Sequence, residues 1–418
     1  LCALMFALHP INVEAVSWAS GRKDVLSAFF FLLSIHWYLN DKTHKRSIIA
    51  FLCGLLSKVS VVPLPFALLL IDHIRGKPID KNNLKAKLPY FILSFIFIII
   101  ALIGKSQVSD TATWMMLSLI AIPFHLVKYI LPFHLSIFYP FTGDLSFSNP
   151  TILLGTLGTL GALGALIWSF RRHKGVFAAL LWYLLLIAPA LPTAIKGGED
   201  NAIYLTMGSD RYVYLAGLGL IYLFGSWIAQ KESRQKLTFG LIILCTVLTV
   251  RQSLVWRDSV SLFTNVIDQN RPSAVAHLVL AGVHAERGEY DKSIEQYEAS
   301  IAIAPSSKAL INLGQVQAIQ GKHTEAIETY MQVIESWPHI ADIHLYIGEL
   351  YIKERNLKAA LPYFEKSIEL YPSLTAGHFN LGVLYEHFNR TADAKKAFER
   401  VLELEPGNVQ VQRRLRLL

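Results

Sequence analysis

Long apolar stretches fill the first 256 residues, and beyond them the chain turns polar, charged and periodic. The apolar runs lie at 25–39, 47–57, 59–71, 88–104, 113–138, 151–170, 176–195, 213–229 and 237–250. A helix that crosses a bilayer needs roughly 17–25 residues. Several runs reach that length and several fall short. The pattern predicts a polytopic bundle of membrane helices over 1–256, a linker over 257–273 and a second helical region over 274–418. Lys58 splits the 47–71 stretch, which either crosses and returns, turning near Ser57-Lys58, or crosses once. Pro123, Pro132 and two His interrupt the 113–138 stretch. It either dips and lies along one surface or crosses once.

In the polar region Pro305, Pro338, Pro372 and Pro406 recur at intervals of 33, 34 and 34 residues. That period points to tetratricopeptide (TPR) repeats, which are helix–turn–helix units. Ile347-Gly348, Tyr351, Ala360 and Phe364 precede Pro372, and Leu381-Gly382, Tyr385, Ala394 and Phe398 precede Pro406. The repeat before Pro338 carries Leu313-Gly314, Ala326 and Tyr330. The first is degenerate, with Ala281 where Gly is usual and Ser293 where Ala is usual. The repeats span 274–306, 307–340, 341–374 and 375–408, with a partial fifth at 409–418. Small residues let two antiparallel helices approach, aromatics fill the groove between them, and Pro ends the second helix. One unit cannot bury its apolar face alone, so stacking supplies the core. No catalytic constellation falls in this region. Its concave face is expected to bind an extended peptide or partner protein; the alternative is a spacer or oligomerisation surface.

Composition sharpens the division. The chain is 53% hydrophobic with a net charge of +8. Residues 1–270 hold 23 Lys and Arg against 13 Asp and Glu, whereas 271–418 hold 16 against 18. The positive charge belongs to the membrane region, which argues against nucleic acid as a partner. Four loops, 41–46, 72–87, 171–174 and 230–236, carry 14 of those 23 basic residues. The positive-inside rule assigns such loops to the cytoplasm, and the chain then emerges from the membrane on the opposite side. Cys2, Cys53 and Cys245 lie in apolar runs, which argues against a disulfide framework. The chain begins at Leu1 within an apolar run, and an N-terminal truncation is expected.

Residues His9–Asp24, HPINVEAVSWASGRKD, place five ionisable side chains between apolar stretches. Such groups at a bilayer boundary usually face a water-filled cavity and mark a functional site. Lys58, Lys105–Asp110, Tyr139 and Lys196–Tyr212 are expected on the same side, in the topology where 47–71 returns. Gly155, Gly158, Gly161 and Gly164 recur every third residue. With no strand before them they predict close helix packing rather than a dinucleotide loop. Gly104-Lys105-Ser106 is a chance match to a phosphate loop. No His/Cys cluster has zinc spacing. Tyr139, Trp114 and Trp182 read as membrane-interface aromatics, and His125 and His134 as parts of an amphipathic surface segment.

The segment HPINVEAVSWASGRKDVLSAFFFLL, with LLSKVSVVPLPFALLLID, LSIFYPFTGD, SDRYVYLAGLGL and VWRDSVSLF, resembles bacterial multi-pass membrane proteins with C-terminal TPR arrays. These are related to the transmembrane and TPR O-mannosyltransferases. The resemblance implies an all-α fold, a GT-C-like membrane helix bundle followed by a TPR solenoid. It implies a polyprenyl-phosphate-linked sugar as donor, used on the non-cytoplasmic side, with a divalent metal admitted. The acidic pair that normally supplies the base would lie upstream of Leu1. Of the residues present, Arg22, Lys58 and Arg211 are candidates for the donor phosphate, since cations stabilise the phosphate that departs. The relatives often have an acidic residue where Val59 stands, which puts an ion-pair role for Lys58 in doubt. Asp24 is expected to orient Arg22, and Asp210 to orient Arg211, beside Tyr212. Glu14 is the acidic candidate for accepting a hydroxyl proton. His9 either bonds a sugar or phosphate oxygen or caps the helix after Pro10. Partners would be a protein acceptor held by the TPR array, the lipid-linked sugar and membrane lipids. The bacterial inner membrane with a periplasmic array is the expected location, with the endoplasmic reticulum as alternative. The rival reading is a non-catalytic, membrane-anchored TPR scaffold for envelope complexes.

Overall fold

The apolar runs fold as helices in the computed structural model, which describes residues 1–41, 43–103, 111–137, 139–141, 144–193, 195–197, 203–205, 208–269 and 272–418. The chain forms two units, Leu1–Pro272 and Ser273–Leu418. The architecture is all-α, with one small antiparallel hairpin, β1 (Ile195–Gly197) and β2 (Ile203–Leu205), in which Lys196 faces Tyr204.

In the first unit the short helices α1 (Cys2–Ala7) and α2 (Val13–Ser17) lead into α3 (Arg22–Asn40). His44, left-handed at φ 54°, starts α4 (Lys45–Ser57), which returns along α3. Ser34 and Ser47 join the two through reciprocal hydroxyl-to-carbonyl bonds of 2.8 and 2.7 Å. Lys58, in extended backbone, ends α4 beside Asp24 at the start of α3. Helix α5 (Leu64–Ile74) then runs back, and its Asp72 accepts from the Tyr38 hydroxyl near the end of α3. The 47–71 stretch therefore goes out and returns, turning at 57–58. Helices α6 (Lys81–Ile103), α7 (Thr111–Ile130), α8 (Pro150–Arg172), α9 (Lys174–Ile187), α10 (Gly217–Ile228) and α11 (Ser233–Val255) follow. The stretch 257–273, expected as linker, contains α12 (Ser259–Asp268). The side-chain amides of Asn265 and Gln269 donate to the Leu135 carbonyl at 3.1 and 3.2 Å. Phe31, Phe51, Leu64, Tyr183 and Val213 lie in the shared core.

Among the described residues, four helical segments, Lys81–Ile103, Pro150–Arg172, Lys174–Leu191 and Arg234–Val255, are long and apolar enough to cross a membrane. They leave Ile99, Ile103, Leu154, Leu157, Ile243 and Val247 exposed. A long helix that is apolar all round and leaves its apolar side chains exposed has the length and composition of a membrane span. The four basic loops lie at one end of the bundle. Tyr38, Asp72 and Lys87 join loop 41–46 to loop 72–87. His73 stacks on Phe170 at 6.3 Å, beside loop 171–174. Antiparallel packing of α9 on α10, with Trp182 against Leu215 and Gly219 against Ala179, brings 230–236 to that end too. Helix α7 packs on the half of α8 far from the basic loops, Ile120 on Gly155 and Pro123 on Gly158. A Cβ on either glycine would lie 2.8 Å from its neighbour, so close packing is the role of these two. Gly161 and Gly164 meet nothing within 4 Å, so the stripe is only half used.

The second unit stacks helical pairs. They are α13 (Ala274–Glu286) with α14 (Tyr290–Ile303), α15 (Ser307–Ile319) with α16 (His323–Ser336), α17 (Ala341–Lys353) with α18 (Leu357–Leu370), and α19 (Thr375–His387) with α20 (Thr391–Leu404). Helix α21 (Val409–Leu417) follows α20 and packs Val411 against Phe398 and Val401. A Cβ on Gly348 would sit 2.7 Å from the Phe364 ring, and Gly314 and Gly382 meet Tyr330 and Phe398 in the same way. In the first pair the irregular Ser293 is satisfied, because its hydroxyl donates to the Ala281 carbonyl at 2.8 Å. The turn within each pair needs one left-handed residue: Gly288 (φ 74°), Gly321 (φ 78°), Arg355 (φ 58°) and Asn389 (φ 57°). A side chain costs roughly 1–2 kcal/mol in that conformation, partly offset by the entropy that glycine loses on folding. Arg355→Gly is therefore expected to stabilise the array by about 0.5–1 kcal/mol. Urea denaturation of the two forms measures it, and a less stable glycine variant counts against the account.

Candidate functional site

The polar segment His9–Asp24 folds into two tight turns because its own residues cap them. The His9 Nδ1 accepts from the Ile11 N–H at 3.4 Å, and Pro10 takes the first position of the turn. Burial lowers the His9 imidazole to about 4, so the ring is neutral. Its Nε2–H donates to the Tyr129 carbonyl at 3.0 Å, and the ring stacks on the Tyr129 ring at 4.4 Å. His9 thus locks the segment to α7 and does not line the cavity described below. Gly21 lets the chain fold back between α2 and α3, since a Cβ there would lie 2.7 Å from the Ala15 carbonyl oxygen.

This fold buries Glu14 against Arg211, which sits on the single 3-10 turn Asp210–Val213 before α10. The guanidinium donates to Glu14 Oε1 at 2.6 Å, and the Arg211 backbone N–H donates to Oε2 at 3.0 Å. The side chains are 12% and 2% exposed. Burial pushes the Glu14 carboxyl up, while the Arg211 charge pulls it back. The guanidinium also lies over the Trp18 ring at 4.4 Å and the Tyr212 ring at 5.1 Å, a geometry that attracts and orients a cation. Trp18 in turn packs on Trp256 at the end of α11, 6.4 Å between centroids.

A second pair stands beside the first. Lys58 donates to Asp24 Oδ1, and its ammonium lies 5.9 Å from the centre of the Tyr212 ring. Asp24 is buried, and among the described residues its Oδ2 has no partner. Lys58, Asp24, Ser60, Arg211 and Tyr212 line one cavity of about 540 Å³, including its solvent-filled mouth. Two cations and the Asp24 carboxylate thus line it, with Glu14 behind Arg211 and outside the lining. Among the described residues no three His, Cys, Asp or Glu side chains converge, and both site carboxylates are held by cations. This donor set does not fit a divalent metal.

Several expected roles change. Asp24 holds Lys58 rather than Arg22, which is exposed at the start of α3 and does not line the cavity. Lys58 is ion-paired in spite of Val59. Arg211 is held by Glu14, not by Asp210. The buried Asp210 instead accepts from the Tyr139 hydroxyl at 2.6 Å and the Ser136 N–H at 3.2 Å. Tyr139, expected at the membrane interface, is fully buried. His125, expected on a surface, is buried between the Ala121 and Ser209 carbonyls. Trp18 was missed, since one Trp in a loop carries no periodic signal. Lys105–Asp110 lie outside the described residues, as do most of 196–207 and the side chain of Trp114.

A separate apolar groove of about 880 Å³, including its open mouth, lies along the same part of the bundle. Helix α3 contributes Ser27 to the cavity and Leu32 and Ile35 to the groove; α9 contributes Leu186, then Trp182 and Ala178. The chain before α10 contributes Leu215, with Leu218 and Tyr222 following, while Ser60 before α5 is followed by Leu70 and Ile74.

Residues 272–339, 311–375 and 375–408 match three models of the tetratricopeptide repeat. The mouse protein O-mannosyl-transferase TMTC3 is 43% identical over 49 residues, 12% of this chain and 5% of that protein. The human protein O-mannosyl-transferase TMTC4 is 53% identical over 38 residues, 9% of this chain and 5% of that protein. The matched stretches are thus about a twentieth of either relative's length. Among solved structures, a MamA protein is 19% identical with a TM-score of 0.33, over 34% of this chain and 79% of that one. YrrB, a TPR protein with an unusual peptide-binding site, is 20% identical with a TM-score of 0.34, over 37% of this chain and 80% of that one.

Proposed function

We propose that the protein is a membrane glycosyltransferase that moves a sugar from a polyprenyl-phosphate donor to a protein or cell-surface acceptor, with the TPR array recruiting the acceptor. The observation that carries this reading is the pairing of cavity and groove. Lys58 and Arg211 face a cavity at the end of the bundle opposite the basic loops, and an apolar groove lies one helical turn further along the same helices. A phosphate attached to a long hydrocarbon has that shape and polarity. The short similarities to O-mannosyl-transferases support the sugar-transfer half of the reading.

In the transfer, the bond between the anomeric carbon and the phosphate oxygen breaks and a bond to the acceptor oxygen forms. The acceptor proton leaves to a base. The departing lipid phosphate gains negative charge, which Lys58 and Arg211 stabilise because their positions are fixed beforehand. Glu14 acts as a holder of Arg211, since both of its oxygens are engaged. The free oxygen of Asp24 suits a sugar hydroxyl. The positive-inside rule, applied to the basic loops, supports a cavity on the non-cytoplasmic side, periplasmic in a bacterial inner membrane and lumenal in an endoplasmic reticulum. The scaffold reading draws on one fact: both cavity cations are already neutralised by carboxylates.

The two readings separate on donor binding. The purified protein should transfer sugar from a polyprenyl-phosphate sugar to a protein acceptor, and deleting Ala274–Leu418 should cut that transfer at least about tenfold by losing acceptor affinity. Donor binding by the deleted form should stay at the full-length level, with helix content checked by circular dichroism. A protein that binds neither the lipid-linked sugar nor the free polyprenyl phosphate is the scaffold.

A further inference from the structure

We propose that Trp182 is a specificity-determining residue for the lipid half of the donor, reading the first isoprene units as the chain passes from the cavity into the groove. The inference rests on the lipid-linked reading above. Trp182 lines the groove, and its Nε1–H donates to the carbonyl of Leu215 at 3.0 Å; Leu215 lines the cavity. The indole is therefore part of the wall between the two spaces.

The ring is held from several sides. Phe31, fully buried, meets it edge-on at 5.9 Å and 85°. Gly219 of α10 leaves no room opposite: a Cβ there would lie 2.7 Å from the Ala179 carbonyl oxygen and 3.1 Å from the Trp182 Cβ. Helices α9 and α10 thus clamp the indole, and its hydrogen bond fixes the plane. A hydrocarbon leaving a phosphate at Lys58 and Arg211 must slide along this fixed aromatic surface. Beyond it the groove offers Leu32, Ile35, Leu70 and Ile74, and among the described residues Arg75 is its one charged lining group. Branched hydrocarbon fits such a lining. A water-soluble sugar phosphate has nothing to gain from it.

The test is a series of ligands that share one phosphate: inorganic phosphate, then dimethylallyl, geranyl and farnesyl phosphate. Affinities are measured for the full chain in detergent as wild type, Trp182→Ala and Trp182→Phe, with thermal stability alongside. For the wild type each added isoprene unit should raise affinity by about tenfold, because each buries several more carbons. Trp182→Ala should flatten that rise to less than about threefold per unit while inorganic phosphate binds as before. Trp182→Phe keeps the aromatic wall and should recover most of the rise. Trp182→Leu replaces the Ala variant if that one does not fold, with the same flattened series expected. A Trp182→Ala or Trp182→Leu series as steep as the wild type overturns the role of Trp182 alone. An equal loss for every ligand, inorganic phosphate included, makes Trp182 a packing residue and also overturns it. A flat wild-type series overturns the lipid-linked donor itself, and the inference goes with it.

Discussion

Arg211→Ala is expected to slow sugar transfer by roughly 100- to 1000-fold, the usual loss when one preorganised charge is removed from a water-poor site. The guanidinium is fixed by Glu14 and lies over the rings of Trp18 and Tyr212, so little reorganisation remains when the phosphate departs. Arg211→Lys should rescue poorly. An ammonium cannot bond Glu14 with one edge, present a second to phosphate and stack on two rings. The substitution also removes the partner of a carboxylate that is 2% exposed, and a buried charge left alone destabilises. The double variant Glu14→Gln/Arg211→Ala separates the two effects, since it restores a neutral interior without restoring the cation. Rates should be taken per folded molecule, with thermal midpoints for every variant. Transfer by the double variant at the wild-type rate would remove Arg211 from the chemistry and leave the pair as a structural tie.

The sequence made the architecture legible because both halves carry long-range periodic signals. Apolar runs of bilayer length mark α6, α8 and α9, and the spacing of Pro305, Pro338, Pro372 and Pro406 marks the repeats. Gly314, Gly348 and Gly382 were readable for a physical reason, as a Cβ at each would strike the partner aromatic. The return of 47–71 at Ser57-Lys58 was one of two open topologies, and the Tyr38–Asp72 contact decides it. The hairpin at 195–205 gave no signal, since three-residue strands are too short for a period of two to show.

Of the candidate residues, Asp24, Lys58, Arg211 and Tyr212 do meet at one cavity, but their partners were not legible. Local sequence favoured neighbours, so Asp24 was matched to Arg22 and Asp210 to Arg211. The fold pairs across the chain instead: Asp24 with Lys58, and Glu14 with Arg211. The geometry of turns explains this. Arg22 and Asp24 leave the first turn of α3 in different directions, and only Asp24 faces the turn at the end of α4. Asp210 points back at the 136–139 loop, where it gathers a backbone N–H and a tyrosine hydroxyl. The long separations between partners carry no local trace.

At the other end of the bundle, Asp72→Ala is expected to destabilise the membrane unit by about 3–5 kcal/mol, the cost of leaving one member of a buried ion pair behind. Asp72 is fully buried and Lys87 is 1% exposed. Besides Lys87, Asp72 accepts from the Tyr38 hydroxyl at 2.6 Å and the Asn83 amide at 3.1 Å, so its loss strands three donors on two helices, α3 and α6. Lys87 also lies 4.9 Å from the centre of the Tyr38 ring, which cannot replace a carboxylate. The pair itself need not be stabilising relative to a well-packed apolar pair. Asp72→Leu/Lys87→Met should therefore recover most of the loss, and that recovery distinguishes a stranded charge from simple loss of volume. Thermal unfolding in detergent measures both variants. The network ties the far end of α5 to α3 and α6, while the other end of α5 follows Lys58 and Ser60 at the cavity. Transfer per folded molecule should stay at the wild-type level in the double variant, because α5 keeps its place. An Asp72→Ala protein that unfolds within 1 °C of wild type would show that water reaches Lys87, and that the pair is no anchor for the turn that carries Lys58.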